Sequence, residues 1–186
     1  SIDEKDAMDE IERELKDKKI LILGDDTGSL SEVLNSLGAK AIGIEVNKNK
    51  VDTAHSGILS EDGKPQDQVI LGDIGDLADN TSELYKKMVA SGPFDIIYSW
   101  AVFNGGSGIE KAIYNFNIRN KIRGDAVIDF SWELVNNLNS LLNESGFMLH
   151  DRVDMWEVYG PNGMRQSNKF GRGTFSKSGY GIGSGV

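Results

Sequence analysis

The fold class predicted by the sequence is α/β: a doubly wound, mostly parallel sheet with helices on both faces. Two observations point there. Short apolar runs recur at 19–23, 41–46, 69–71, 94–99 and 147–150, with little of the polar alternation a half-exposed strand would show. Between them lie segments with helical spacing of apolar residues, and strands that alternate with helices build a parallel sheet covered on both sides.

The elements follow in order. Ala7, Met8, Ile11 and Leu15 stand at helical spacing in a charged background and predict an amphipathic leading helix within residues 1–18. Lys19–Leu23 is the first buried strand. Ser29–Leu37 is a helix with Leu30, Val33, Leu34 and Leu37 on one face and Gly38 as its stop. Ala41–Val46 is the second strand, and a short helix covers 48–56. Residues 57–68 are polar, contain Gly63 and Pro65, and read as a loop. Val69–Leu71 is the third strand, 79–90 a helix closed by Ser91-Gly92-Pro93, and Phe94–Ser99 the fourth strand. Helices are expected at 109–116 and 126–143, the latter stopping at Ser145-Gly146, before a fifth strand at 147–150. Beyond Asp151 the pattern dissolves. Residues 153–159 suit a strand, and the glycine-rich end suits either an antiparallel hairpin around 173–177 and 180–182 or a disordered tail.

A chain of 186 residues with 39% hydrophobic and 26% charged residues is expected to form one soluble domain with a proper core. No apolar run approaches the ~20 residues of a membrane span, and nothing at the start reads as a secretory signal, so a cytoplasmic location is expected. Cysteine is absent, which excludes disulfides, a thiolate nucleophile and thiolate metal ligands. The two histidines are far apart, so no histidine metal site is expected. The net charge of −9 disfavours nonspecific binding to long nucleic acid or anionic membrane. It is unevenly spread: no acid follows Glu157, whereas Arg165, Lys169, Arg172 and Lys177 do. That basic end is either a solvated tail or a grip for a phosphate or an acidic substrate.

The chemistry concentrates after the first strand. The run Lys19–Leu23 ends at Gly24-Asp25-Asp26-Thr27-Gly28, a helix follows, and the second strand ends in Glu45. Glycines let the backbone approach a ligand, and an acid at that strand end can accept hydrogen bonds from ribose hydroxyls, so the layout is that of a nucleotide-binding βαβ unit. The dinucleotide pattern G-x-G-x-x-G would need glycine at Asp26, and its short-chain dehydrogenase variant would need glycine at Leu30 and a Tyr-x-x-x-Lys pair, which the chain lacks. A phosphate-binding P-loop would need Gly-Lys-Ser/Thr where Gly28-Ser29-Leu30 stands.

The loop resembles motif I of the class I S-adenosylmethionine-dependent methyltransferases, a Rossmann-like family. Gly24 and Gly28 match the first and third glycines of G-x-G-x-G; Asp26 replaces the middle one, and Ile22 stands where the family often has an acid. Glu45 falls at the family's ribose-binding acid. Gly72-Asp73-Ile74 is similar to the segment whose acid faces the adenine amino group. Phe94-Asp95-Ile96-Ile97-Tyr98-Ser99-Trp100-Ala101-Val102-Phe103, leading to Glu110-Lys111-Ala112, is similar to the motif IV region of small-molecule methyltransferases, which often carry histidine at the positions of Asn104 and Gly105. The resemblance covers residues 19–150 and leaves 151–186 as an unmatched extension.

The resemblance implies S-adenosylmethionine as cofactor and a small-molecule or polymer-linked methyl acceptor. Its implied cofactor residues are Gly24, Asp25, Asp26, Gly28, Glu45, Asp73, Ile74, Ser99 and Trp100, with Asn104 and Asp151 toward the acceptor. Some of these have a plainer account. Asp26 reads most simply as a cap of the following helix, Asp73 as a turn or capping residue, and Trp100 as core packing. His150, at the end of the fifth strand beside Asp151, is the one candidate base, because imidazole titrates near neutrality; a structural histidine is the alternative. His55 has no role. Two other functions stay open: a binding or scaffold protein on the same fold with altered catalysis, and a nucleotide-sugar or NAD enzyme.

Overall fold

The computed structural model describes residues 4–100, 133–134, 136–151, 156–159, 165–168, 173–176 and 179–184. The expected helix at 109–116, the stretch 126–132 of the next one, and Asn104, Ala101–Phe103 and Glu110–Ala112 lie outside these residues.

Helix α1 (Glu4–Leu15) precedes β1 (Lys19–Leu23), α2 (Ser29–Ser36), β2 (Lys40–Glu45), α3 (Lys48–Ser56) and β3 (Val69–Leu71). A 3-10 turn (Ile74–Ala78), α4 (Glu83–Ser91), β4 (Phe94–Trp100) and β5 (Leu142–Asp151) follow, then β6 (Trp156–Tyr159), β7 (Arg165–Asn168), β8 (Gly173–Ser176) and β9 (Gly179–Ser184). The main sheet has the order β3-β2-β1-β4-β5-β8-β9. Its first five strands are parallel, β8 runs antiparallel to β5, and β9 antiparallel to β8. This is the expected doubly wound sheet, and of the two alternatives open for the glycine-rich end the structure has the hairpin, as β8 and β9. Strands β6 and β7 pair separately as an antiparallel ribbon.

β1 shows why its sequence has no polar alternation. Ile20 and Ile22 point into a cluster with Ala39 and Ala41, against which Leu15, Leu34, Ile96 and Tyr98 pack. Leu21 and Leu23 point the other way, into a larger cluster with Ile44, Leu77, Met88, Phe94, Ile97, Leu134, Leu138 and Met148. Both faces are therefore covered, as an interior parallel strand requires. Ile22, at the position where the resemblance places an acid, is buried and pairs with Gly43 and Tyr98.

Up to β5, two boundaries differ from expectation by more than one residue, while β2 is shifted by one, to Lys40–Glu45. The helix expected over 79–90 divides into the 3-10 turn and α4, because Ser82 caps α4 by accepting from the Tyr85 N–H while its own hydroxyl donates to the Asp76 carbonyl. The helical residues before β5 end at 140 rather than 143, and β5 begins at Leu142, which pairs with Phe94 before an irregular step brings Phe147 opposite Ile96. Gly146 permits that step: a Cβ there would lie 2.9 Å from the Phe94 carbonyl oxygen. Buried Asn137 fixes the helix end by donating to the carbonyls of Leu77 and Ala78.

Candidate functional site

The strand order reverses between β1 and β4, and in an open α/β sheet that switch point opens a crevice at the carboxyl ends of the strands. The register brings the sequence candidates together there. Leu23 pairs with Ile44 on one side and Ser99 on the other, and Ser99 pairs with His150. One residue further, Glu45 pairs with Leu71 and Trp100 with Asp151. Gly24, Glu45, Ser99, Trp100, His150 and Asp151 thus occupy neighbouring rungs at one end of the sheet. For Trp100, His150 and Asp151 this is a statement about the backbone.

The loop from Gly24 to Gly28 turns by positive φ angles at Gly24 (79°), Asp26 (58°) and Gly28 (87°). At Gly28 only glycine fits, because a Cβ would also meet Val69 Cγ2 at 2.6 Å. The loop is tied to β2 by the N–H groups of Gly24 and Asp25, which both donate to the Ile44 carbonyl.

Its two aspartates have different fates. Asp25 is 4% exposed, and its side chain lies where a Cβ on Gly43 would be, 2.3 Å away. Oδ1 accepts from the Ser31 N–H in the first turn of α2, while Oδ2 has no hydrogen-bond partner among the described residues. Burial pushes the carboxyl up to about 6; the contacts with Ser31 oppose this, and the neighbouring charges of Glu45 and Asp26 add to it. Asp26 does not cap α2 as expected. The capping position is Gly28, and the carboxylate of Asp26 points to Lys50 Nζ at 2.6 Å instead. That bond holds the Lys50 ammonium above the usual lysine range. The N-terminal turn of α2 takes its carboxylate from Asp25 instead.

Glu45 is buried and holds two backbone groups. Oε2 accepts from the Asp26 N–H at 3.0 Å and Oε1 from the Asn47 N–H at 2.9 Å. Asn47 in turn caps α3, its side chain accepting from the N–H groups of Asn49 and Lys50. One residue after the acid, Val46 is 65% exposed. The sequence puts it inside the second strand, whereas β2 ends at Glu45. At the end of β3, Asp73 caps the 3-10 turn through the Gly75 N–H, which is its plainer role, and Ile74 packs half-buried on the larger core cluster. Ser99 is buried. His55 bonds the Val69 carbonyl through Nε2 at 2.7 Å. Among the described residues no group of three or more His, Asp or Glu side chains is gathered as a metal site, and no helix is long and apolar enough to cross a membrane.

The chain matches no protein-family model and no curated protein by sequence. Similar solved structures include the bifunctional kinase-methyltransferase WbdD, at 19% identity and a TM-score of 0.49 over 77% of this chain and 26% of that one. A TehB-like SAM-dependent methyltransferase from Corynebacterium glutamicum shows 17% identity and a TM-score of 0.42, over 80% of this chain and 59% of that one. The magnesium protoporphyrin IX methyltransferase of Synechocystis, with bound SAM, shows 14% identity and a TM-score of 0.44 over 88% of this chain and 61% of that one. The chain therefore spans from about a quarter to three fifths of the length of these proteins. Its own strand order and glycine loop define a Rossmann-like α/β protein.

Proposed function

We propose that this chain binds S-adenosylmethionine at the switch point and transfers its methyl group to a small-molecule or polymer-linked acceptor. The observation that carries the reading is the state of Glu45: a buried carboxylate at the end of β2, fixed by one N–H from the glycine loop and one from the start of α3. Each carboxylate oxygen has two acceptor sites and spends one. The remaining pair suits two adjacent ribose hydroxyls. The donor set therefore fits the adenosine part of the cofactor, with Val46 and Ile74 offering apolar surface to a base and Gly24 and Gly28 close backbone approach.

The cofactor supplies an electrophilic methyl group on a sulfonium, and its transfer is an in-line displacement. What the protein adds is alignment and exclusion of water. A base is needed only for an acceptor that arrives protonated. We assign the acceptor side to the β4–β5 end, with Asp151 there and His150 as the group to take a proton; Asn104 is an acceptor-side candidate on the resemblance alone.

Calorimetric titration with S-adenosylmethionine, S-adenosylhomocysteine and NAD tests the reading. The first two are expected to bind saturably and NAD not. Glu45→Ala is expected to weaken binding about tenfold to 100-fold, as for loss of hydrogen bonds to a charged group. Glu45→Gln, which keeps the side chain's size, guards against a folding defect. Absence of binding in the wild type would overturn the proposal.

A further inference from the structure

We infer that Lys50 is a positioning residue for Glu45, holding the glycine loop so that the Asp26 N–H stays on the Glu45 carboxylate; the role rests on the cofactor reading above. The contacts form a closed ring. Lys50 Nζ binds Asp26 Oδ2 at 2.6 Å, the Asp26 N–H donates to Glu45 Oε2, Glu45 Oε1 accepts from the Asn47 N–H, and Asn47 caps the helix that carries Lys50. Asp26 is the weak link of that ring. Its φ of 58° is one that most side-chain-bearing residues avoid and that aspartate tolerates at a cost smaller than theirs. Without its side-chain partner the residue has reason to relax toward negative φ, and the N–H would swing away from Glu45. Lys50 opposes that relaxation from a neighbouring helix.

An ordinary structural salt bridge would look different. Both side chains of this pair are partly exposed, so its share of global stability is small. The molecule also contains a control: Asp17 has a φ of 60° and pairs with Lys40 at 3.0 Å, but its N–H goes to the Gly38 carbonyl and to no candidate ligand contact.

The test combines amide exchange by NMR on the free protein with calorimetry using S-adenosylhomocysteine. Lys50→Ala is expected to speed exchange of the Asp26 amide roughly threefold to tenfold and to weaken binding by a similar factor, with the melting temperature nearly unchanged. Lys50→Arg is expected to restore both, and Lys40→Ala to alter neither. In an Asp26→Gly background, Lys50→Ala is expected to add nothing. An unchanged Asp26 amide in folded Lys50→Ala would overturn the inference. So would equal weakening of binding in both backgrounds, which would mean Lys50 acts without Asp26. If the wild type binds no S-adenosylhomocysteine, the cofactor reading falls, and the exchange arm still decides whether Lys50 holds the loop.

Discussion

The two ends of β1 use the same local device for different ends. At the amino end, Asp17 and Gly38 have positive φ, and Asp17 reaches Lys40. Nearby, Asp95 accepts from the Lys19 N–H and the Asn143 side chain, and Lys19 Nζ donates to the Gly92 carbonyl. The polar groups there close on one another. At the carboxyl end, Asp26 and Gly28 have positive φ and Asp26 reaches Lys50, but three carboxylates crowd together and one buried oxygen of Asp25 has no partner among the described residues. Buried polar groups are nearly always satisfied, and exceptions mark places kept for something other than stability. On the proposed cofactor reading, that imbalance marks the working end of the strand.

The largest contrast is expected between two glycines of similar φ. At Gly28 an alanine would suffer both the backbone conformation and the overlap with Val69; at Gly38 the nearest atom is Lys16 Cα at an acceptable 3.7 Å. Gly28→Ala is expected to cost about 2–5 kcal/mol, from backbone strain and overpacking together, and Gly38→Ala about 1–2 kcal/mol from strain alone. Urea unfolding of both variants checks this. Equal losses would mean that the Val69 contact yields and that the loop is no tighter than an ordinary turn.

How far these differences were legible in the sequence follows from their range. The alternation of elements, the glycine loop and Glu45 are local patterns, read from apolar runs and from an acid at a strand end. Asp26 looks like a cap in the sequence because its partner, Lys50, lies 24 residues away and is brought near only when α3 packs beside the loop. That Asp25 serves the first turn of α2 is not legible in the sequence, because its burial depends on Gly43 in a different strand. Asn137 is tied to carbonyls about 60 positions back, and no local spacing announces that. The β4–β5 end was read through resemblance, and there register alone speaks for Trp100, His150 and Asp151.

A middle-sized effect is expected from Asp25, with its sign set by linkage. Its carboxyl has an ordinary value of 3.8 and stands at about 6 in the fold, so the folded state holds the proton more tightly than the unfolded chain. The stability this contributes is full below pH 4 and is lost as pH rises through 6, by up to about 3 kcal/mol for a shift of this size. Asp25→Asn removes the charge but leaves a buried amide. It is expected to be about 1–2 kcal/mol more stable than wild type at pH 8 and no more stable at pH 4. Urea midpoints at pH 4, 6 and 8 decide it. A difference that does not vary with pH would show that the carboxyl is not strained by burial, and the asymmetry between the two ends of β1 would lose its main support.

The smallest expected effects come from the matched aspartates, and they sharpen the comparison most. Asp17→Gly and Asp26→Gly each relieve a positive φ and each remove one partly exposed ion pair. Those terms oppose each other, since glycine gains about 1 kcal/mol in that conformation and an exposed pair is worth about 0–1 kcal/mol. Both variants should therefore lie within about 1 kcal/mol of wild type in urea unfolding. They should part company only in binding. Asp17→Gly is expected to leave S-adenosylhomocysteine affinity unchanged, because its N–H bonds a carbonyl at the far end of β1. Asp26→Gly removes the side chain by which Lys50 anchors the loop and leaves a glycine that takes either sign of φ with similar ease, so the N–H on Glu45 is held less firmly and affinity is expected to weaken about threefold to tenfold. If the two variants bind alike, the carboxylate of Glu45 does not depend on the loop's conformation, and the two ends of β1 differ in sequence context but not in what they do.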